Sequence, residues 1–244
     1  MKHVFSAQSL LDRYGIASLV SGDLGSLYHG ADIALHVGYA WTLQTVRLTK
    51  KWKHVELCVP ASEEHRVKKV IGSDPDFIPL SNITEPDFYH PYKRGASQYK
   101  FAGVKEGIHL HIITDSSLPL DLMASSTSAK TVKTALATWC HEVDENVLEK
   151  LKFPTLSNFL NAWLDLAFRA GGIQPAEQTV FLMEAERLID GSGIDRAWCS
   201  TNISSRDSLL LATKLLEGQA TRMEHMTRYF GAEPSEKEKH LLDL

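Results

Sequence analysis

The chain has 244 residues, and its 26 Lys and Arg side chains against 30 Asp and Glu give a formal net charge of −4. This balance argues against a generally basic nucleic-acid-binding protein, while 43% hydrophobic residues are typical of a globular protein with one large domain or two small ones. No apolar run approaches the roughly 20 residues that span a bilayer, so we expect no membrane partner and a cytoplasmic location.

The N-terminal half alternates between helical and extended patterns. Apolar residues three and four apart predict helices, and alternating or short continuous apolar runs predict strands. Residues 72–95 are rich in Pro, Asp, Ser and Asn and predict a long loop. The other predicted elements are, in chain order, a helix at 6–14, a strand at 16–20, a helix beginning at 24, strands at 33–37, 42–48 and 56–59, a helix at 62–71 and a half-buried strand at 108–113.

The composition changes near residue 128, and helical patterns follow. A stripe of apolar side chains predicts a helix at 155–170, which the Gly171-Gly172 pair ends. Further helices are expected at 176–190, 194–200 and 208–230. We therefore predict an α/β domain at 1–125 and a C-terminal helical domain at 126–244.

The candidate site begins with a glycine-containing turn and a later strand. Gly22, Asp23 and Ser26 lie in the turn, where backbone N–H groups at a helix start could cradle a phosphate. The alternative is a plain strand-to-helix turn with Asp23 as the helix N-cap. On the later strand, His54 and Glu56 are two residues apart and therefore share one face.

Several short motifs occur in a fixed order along most of the chain. They are Tyr14-Gly15-Ile16, Gly22-Asp23, His54-Val55-Glu56-Leu57-Cys58-Val59-Pro60, Tyr92-Lys93-Arg94-Gly95, Ile112-Ile113-Thr114-Asp115-Ser116, and Leu188-Ile189-Asp190-Gly191 with Trp198-Cys199. With this ordered set, the chain resembles a group of fungal proteins of nucleotidyltransferase-like fold over most of its length. The resemblance implies an α+β fold, in which a nucleotidyltransferase-like mixed sheet with flanking helices is followed by a C-terminal helical part.

Two features depart from the pattern of that family. The family has Asp at the position of His54, so the D-x-D/E pair that holds a metal in this fold is incomplete. An insertion of roughly twenty residues lies between residues 28 and 53, longer than an ordinary connection. It contains a second incomplete pair, in which Asp32 is followed by Ala34 where the second acid would stand.

Metal chemistry in this fold needs two or three converging carboxylates around a divalent ion. His54 and Glu56 supply one nitrogen and one carboxylate, which is a poor set for Mg²⁺. The strand at 108–113 offers His109 and His111 in place of a third acid. If the two strands are neighbours, these four side chains suit zinc, manganese or iron; otherwise the two histidines line an ordinary solvated strand.

Two basic segments are candidates for substrate contacts. Tyr92, Lys93 and Arg94 place an aromatic ring beside two cations, a combination that can grip a phosphate or a terminal adenosine; a solvated loop is the alternative. The densest basic run is a candidate for tracking a nucleic-acid backbone, with an ordinary solvated surface as the alternative. This basic run consists of Arg47, Lys50, Lys51 and Lys53.

Spacing alone selects no nucleophile in this chain. There is no G-x-S-x-G motif, and Cys140 and His141 are adjacent helical residues that do not face each other. The three scattered cysteines form no C-x-x-C pair, which indicates reduced thiols in an intracellular protein.

Three functions fit these residues and the resemblance. The leading interpretation, by analogy with small fungal enzymes, is a transferase that joins aminoacyl groups from two charged tRNAs into an arginine-containing cyclic dipeptide. Aminoacyl esters are already activated, so this reaction needs no metal, and Glu56 or Asp32 would hold the substrate amine or an arginine side chain. The second is a Mg²⁺-dependent nucleotidyltransferase acting on a small molecule or RNA, with Asp115 as a further acid. The third is a non-catalytic nucleotide-binding module.

These interpretations define the expected partners and site. The substrate is an aminoacyl-tRNA or a nucleotide, and the leading interpretation requires no cofactor whereas the second requires Mg²⁺. The candidate residues are Glu56, Asp32, His54 and His109 for catalysis, Gly22, Asp23, Ser26, Tyr92, Lys93, Arg94 and His111 for substrate binding, and the basic run for nucleic acid.

Overall fold

The architecture is a mixed five-stranded sheet with helices on both faces. The computed structural model describes residues 2–31, 54–80, 91–104, 109–126 and 150–230. Several predictions lie outside the described residues: the strands at 33–37 and 42–48, the helical pattern from 128 to 149, Asp32, and the basic run of Arg47, Lys50, Lys51 and Lys53.

The first half follows the predicted order with shifted element ends. The first two residues of the helix predicted at 62–71 belong instead to a 3-10 turn at Ala61–Glu63, and a second 3-10 turn spans Pro91–Lys93. The elements are α1 (Lys2–Arg13), β1 (Leu19–Ser21), α2 (Gly22–Tyr28), β2 (His54–Val59), α3 (Glu64–Gly72), β3 (Phe77–Pro79), β4 (Ser97–Phe101) and β5 (His109–Thr114). The pattern did not predict β3 and β4, which are short and contribute few buried side chains.

The C-terminal part confirms the four helices predicted beyond residue 154. Thr155 caps the first of them by accepting a hydrogen bond from the backbone N–H of Asn158, and Asp195 caps a later one in the same way through Trp198. Gly193, in the left-handed conformation at φ 66°, ends another. The elements are β6 (Ser125–Ser126), β7 (Phe153–Pro154), α4 (Leu156–Ala170), α5 (Pro175–Ser192), α6 (Arg196–Asn202) and α7 (Arg206–Phe230).

The strand order in the main sheet is β1-β2-β5-β4-β3, with β2 and β5 parallel and the other neighbours antiparallel. In this register Glu56 lies between Ser21 on β1 and His111 on β5, while His54 is opposite His109. The strands that carry the candidate residues are therefore direct neighbours.

Alternation along β2 sends its side chains into two separate cores. Val55, Leu57 and Val59 pack with α1 and α3 on one face of the sheet. Cys58 belongs to the opposite core, which the C-terminal helices cover. Because residues two apart share a face, Glu56 points toward the C-terminal helices together with Cys58.

The α+β class is confirmed, since a mixed sheet with flanking helices is followed by a C-terminal helical part. The division at residues 125 and 126 into two domains stays a prediction. None of the helices in the described ranges is both long enough and apolar enough to cross a membrane.

Candidate functional site

Glu56 is the centre of a buried polar cluster. Its side chain is only 2% exposed, and its Oε1 lies 2.6 Å from Nζ of Lys93, which is 4% exposed. The Tyr92 hydroxyl donates a hydrogen bond of 2.9 Å to Oε2 of Glu56. Each oxygen of this carboxylate thus has a partner, as a buried charge requires because desolvation without one costs several kcal/mol.

Tyr92 and Lys93 are turned inward by the 3-10 turn at Pro91–Lys93. The Tyr92 ring meets the ring of Trp163 edge-on at 4.9 Å between centroids, and Nζ of Lys93 lies 5.5 Å from the Tyr92 centroid. The neighbouring Arg94 is half-exposed. The predicted aromatic and cationic loop therefore splits: two of its side chains are buried beside Glu56, and only Arg94 reaches the surface.

Tyr92 is held in its neutral form. Burial raises the pKa of its phenol well above the ordinary value, and the negative charges of Glu56, Glu184 and Asp23 raise it further. The hydroxyl is consequently a hydrogen-bond donor to Glu56 at neutral pH.

Gly22 supplies the space that the Glu56 carboxylate occupies. It has φ 61°, and a Cβ built there would lie 2.5 Å and 2.6 Å from the two carboxylate oxygens. Helix α2 begins at this glycine, with Ser21 at the N-cap position. The alternative in which Asp23 is the N-cap is wrong, because Asp23 lies inside the first turn and its carboxylate contacts Arg187.

Arg187 on α5 connects the turn to the helical part. Its Nη1 lies 3.1 Å from Oδ1 of Asp23 and 2.8 Å from Oε2 of Glu184. Burial acts to lower the pKa of Arg187, but the two carboxylates outweigh it and hold that pKa above its usual value. Arg187 is therefore a buried cation fixed between two acids.

Sequence reasoning missed Glu184 and Arg187. Both are buried on the face of α5 that also carries Phe181 and Leu188. The sequence did contain a signal, because both charged residues recur at the helical spacing of the apolar residues. Charged residues on a buried helix face are rare unless they are paired.

The metal interpretation depends on the histidines beside Glu56. The parallel register places His111 next to Glu56 and His109 next to His54, so the two strands are adjacent as that hypothesis requires. Among the described side chains, however, no group of three or more His, Cys, Asp and Glu is arranged to hold a metal ion.

The residues around Glu56 do not fit Mg²⁺. The ammonium group of Lys93 lies where a cation would contact the carboxylate, and Tyr92 engages the other oxygen. Asp115, the further acid of the nucleotidyltransferase interpretation, is four residues beyond His111, about 13 Å along the strand direction. Its Oδ1 instead accepts a hydrogen bond of 2.9 Å from the backbone N–H of Ala61.

A cleft of about 310 Å³ lies next to Tyr92. Across it, Nη1 of Arg94 pairs with Oε1 of Glu177 at 2.6 Å. Tyr92 belongs to both the cleft wall and the Glu56 cluster, so it connects the two. The cleft is lined by Pro91, Tyr92, Arg94, Ser117, Leu166, Arg169, Ala170, Gln174, Glu177 and Phe181.

Ser26 is the remaining predicted residue of the glycine-containing turn. Ser26 is fully buried on α2, one turn beyond Gly22, and within the described part of the chain its Oγ makes no hydrogen bond. The residues that the fold brings together are Gly22, Asp23, Glu56, Tyr92, Lys93 and His111.

No family model matches the sequence, and no curated protein matches it. Among solved structures, the chain is similar to the antibiotic-resistance factor ANT(2'')-Ia, an aminoglycoside nucleotidyltransferase. The identity is 9%, the match covers 93% of this chain and 95% of that one, and the TM-score is 0.37.

Proposed function

We propose that the chain is a transferase that works without a divalent metal on an already activated substrate. The observation that carries this proposal is the 2.6 Å ion pair between Glu56 and Lys93. In metal-dependent phosphoryl transfer, converging carboxylates keep their oxygens for the ion. Here an ammonium group supplies the positive charge, which favours chemistry in which the substrate brings its own leaving group.

The most specific form of the proposal is tRNA-dependent synthesis of an arginine-containing cyclic dipeptide. In the first step the α-amine of one aminoacyl group attacks the ester carbonyl of the other. An amide bond forms, the ester C–O bond breaks, and the tRNA hydroxyl leaves with the proton that the amine gives up. The free α-amine of the dipeptide then attacks the remaining ester carbonyl. A second amide bond forms and closes the ring, the ester C–O bond breaks, and the second tRNA hydroxyl leaves with the proton from that amine.

Tyr92 is the proposed link between the substrate and Glu56. Its hydroxyl donates to Glu56, and its side chain lines the cleft. A proton from the attacking amine would pass to the Tyr92 oxygen as the phenolic proton passes to Glu56, and the reverse transfer would deliver a proton to the leaving tRNA hydroxyl. The cleft volume of about 310 Å³ is at the lower end of ligand sites, about 300–1,000 Å³, which suits an aminoacyl group.

The test is mass spectrometry of extracts from bacteria expressing the chain, with an empty-vector control and the Glu56→Gln variant. We expect a new arginine-containing cyclic dipeptide that both controls lack. Absence of any such product, together with Mg²⁺-dependent nucleotide transfer by the purified chain, would overturn the proposal in favour of a nucleotidyltransferase.

A second candidate is a non-catalytic nucleotide-binding module. Burial of the Glu56–Lys93 pair favours it, because a pair at 2% and 4% side-chain exposure also suits a purely structural role. This candidate predicts nucleotide binding without turnover, and it predicts that removing the Tyr92 hydroxyl leaves nucleotide affinity unchanged.

A further inference from the structure

Arg187 has hydrogen-bonding capacity that its two acidic partners do not use. Its side chain is 4% exposed, and only Nη1 contacts Asp23 and Glu184. Within the part of the chain that the structure describes, its Nε and Nη2 have no hydrogen-bond partner. Burying a donor without a partner is unfavourable, so in native proteins such groups usually face a water, an ion or a ligand.

The two unused donors define the shape of what they can bind. Nε and Nη2 form one edge of the planar guanidinium and point in parallel, which matches an oxygen acceptor approached from that edge. The acceptor has to replace the water that these groups lose on burial.

The surrounding charge limits the acceptor further. The carboxylates of Glu56, Glu184 and Asp23 all act on the Tyr92 phenol, so they surround one site. An acceptor at the free edge of Arg187 would lie close to the carboxylates of Asp23 and Glu184, which both contact Nη1 of the same guanidinium. These carboxylates repel a phosphate or a free carboxylate and favour a neutral carbonyl attached to a cationic group.

Asp23 gives such a ligand a route to Arg187. Its side chain is 40% exposed while that of Arg187 is 4% exposed, so the cluster opens to solvent at the Asp23 end. An ammonium at Asp23 and a carbonyl at the free edge of Arg187 would both be satisfied by one α-aminoacyl group.

We propose that Asp23 and Arg187 form the subsite for an aminoacyl group, with Asp23 holding the α-ammonium and Nε and Nη2 of Arg187 holding the carbonyl oxygen. The inference rests on the proposed function and identifies the residues that recognise its substrate. Because the bound amine is an ammonium and not a nucleophile, this subsite holds the group whose carbonyl is attacked first.

Small esters test the subsite directly. Binding of alanine methyl ester, N-acetylalanine methyl ester and inorganic phosphate to the full chain is measured by ligand-observed NMR and calorimetry. We expect the ester with a free ammonium to bind about tenfold more tightly than its N-acetyl derivative, and phosphate not to bind. Asp23→Asn should remove that difference.

Two further variants make the result specific. Asp12→Asn is the matched control, because Asp12 is 38% exposed and also pairs with one cation, Lys152, so it should leave ester binding unchanged. Arg187→Lys keeps the charge and removes the two-donor edge, so it should weaken binding of both esters; circular dichroism checks its folding. If it does not fold, Asp23→Asn alone decides.

The outcomes separate this inference from the proposed function. Equal ester binding by wild type and Asp23→Asn, or phosphate binding in place of the ester, overturns the inference. Ester binding that depends on Asp23, without any cyclic dipeptide product, supports the inference and overturns the transfer reaction. If the chain makes the dipeptide but Asp23→Asn leaves ester binding unchanged, the transfer reaction is supported and the inference is overturned.

Discussion

The carboxylate of Glu56 lies directly against the α-carbon of Gly22. A methyl group at Gly22 would come within 2.5 Å and 2.6 Å of the two carboxylate oxygens, and the backbone there has φ 61°. Both the space and the backbone conformation therefore require glycine. The turn that opens α2 thus fixes where the charge of Glu56 sits, which explains how a glycine turn and a distant strand form one site.

Gly22→Ala should destabilise the protein more than Gly15→Ala. Gly15 has φ 67° but open space around its α-carbon, so its replacement costs only the left-handed conformation, about 1 kcal/mol. Gly22→Ala should cost a further 1–3 kcal/mol or so because the Glu56 carboxylate must move. Urea unfolding measures both, and equal losses would contradict the close approach.

Glu56 and Lys93 should be strongly coupled in stability. Glu56→Gln and Lys93→Met each leave a buried group without its partner and should cost about 3–5 kcal/mol. The double variant should cost clearly less than the sum, because it removes both charges. A double-mutant cycle from urea unfolding gives the coupling energy; additivity to within about 0.5 kcal/mol would show that the pair is not coupled.

Turnover should not depend on Mg²⁺. With purified, pre-charged aminoacyl-tRNA and spermine to keep the tRNA folded, excess EDTA should leave the initial rate of dipeptide formation unchanged, because Lys93 already neutralises Glu56. The control adds Mg²⁺ back. A rate that EDTA abolishes and Mg²⁺ restores would mean that a metal takes part in the reaction.

Tyr92→Phe should separate catalysis from stability. The ring keeps its contact with Trp163, and only the hydroxyl that donates to Glu56 is lost. Loss of a proton-transfer group predicts a kcat lower by about 10²–10⁴-fold, whereas the stability loss should be about 1–3 kcal/mol because one oxygen of the buried Glu56 carboxylate loses its donor. Wild-type turnover at unchanged folding would exclude Tyr92 from proton transfer.

His29 should make the protein less stable in acid. Burial lowers the pKa of His29 from 6.5 to about 4, against the opposing effect of its 2.9 Å hydrogen bond to the Pro154 carbonyl. The unfolded chain therefore binds this proton more readily, and the free energy of unfolding should fall as pH drops from about 6.5 through about 4, by no more than about 3 kcal/mol.

Urea unfolding from pH 7 to pH 4 measures this contribution of His29. His29→Gln should flatten that part of the profile, whereas His65→Gln, at an exposed position, should not. Identical pH profiles for wild type and His29→Gln would assign the acid sensitivity to other groups.

The sequence alone determined the features that depend on nearby residues. The helix at 155–170 is observed as Leu156–Ala170 because its apolar stripe is a local pattern, and the alternation of 108–113 likewise corresponds to a strand at His109–Thr114. The strand Ser97–Phe101 was not recognisable, because only Tyr99 and Phe101 are buried in it and its pairing supplies the rest.

The partners of the site residues were decided by the tertiary structure. Sequence spacing selected Glu56, but Tyr92 hydrogen-bonds to it from 36 residues away, and Arg187 reaches Asp23 across 164 residues. The sequence shows that a polar side chain will need a hydrogen-bonding or ionic partner if it is buried. It does not show which group that partner is. That choice depends on which strands pair and which helix covers them, and these contacts form only when the whole chain is folded.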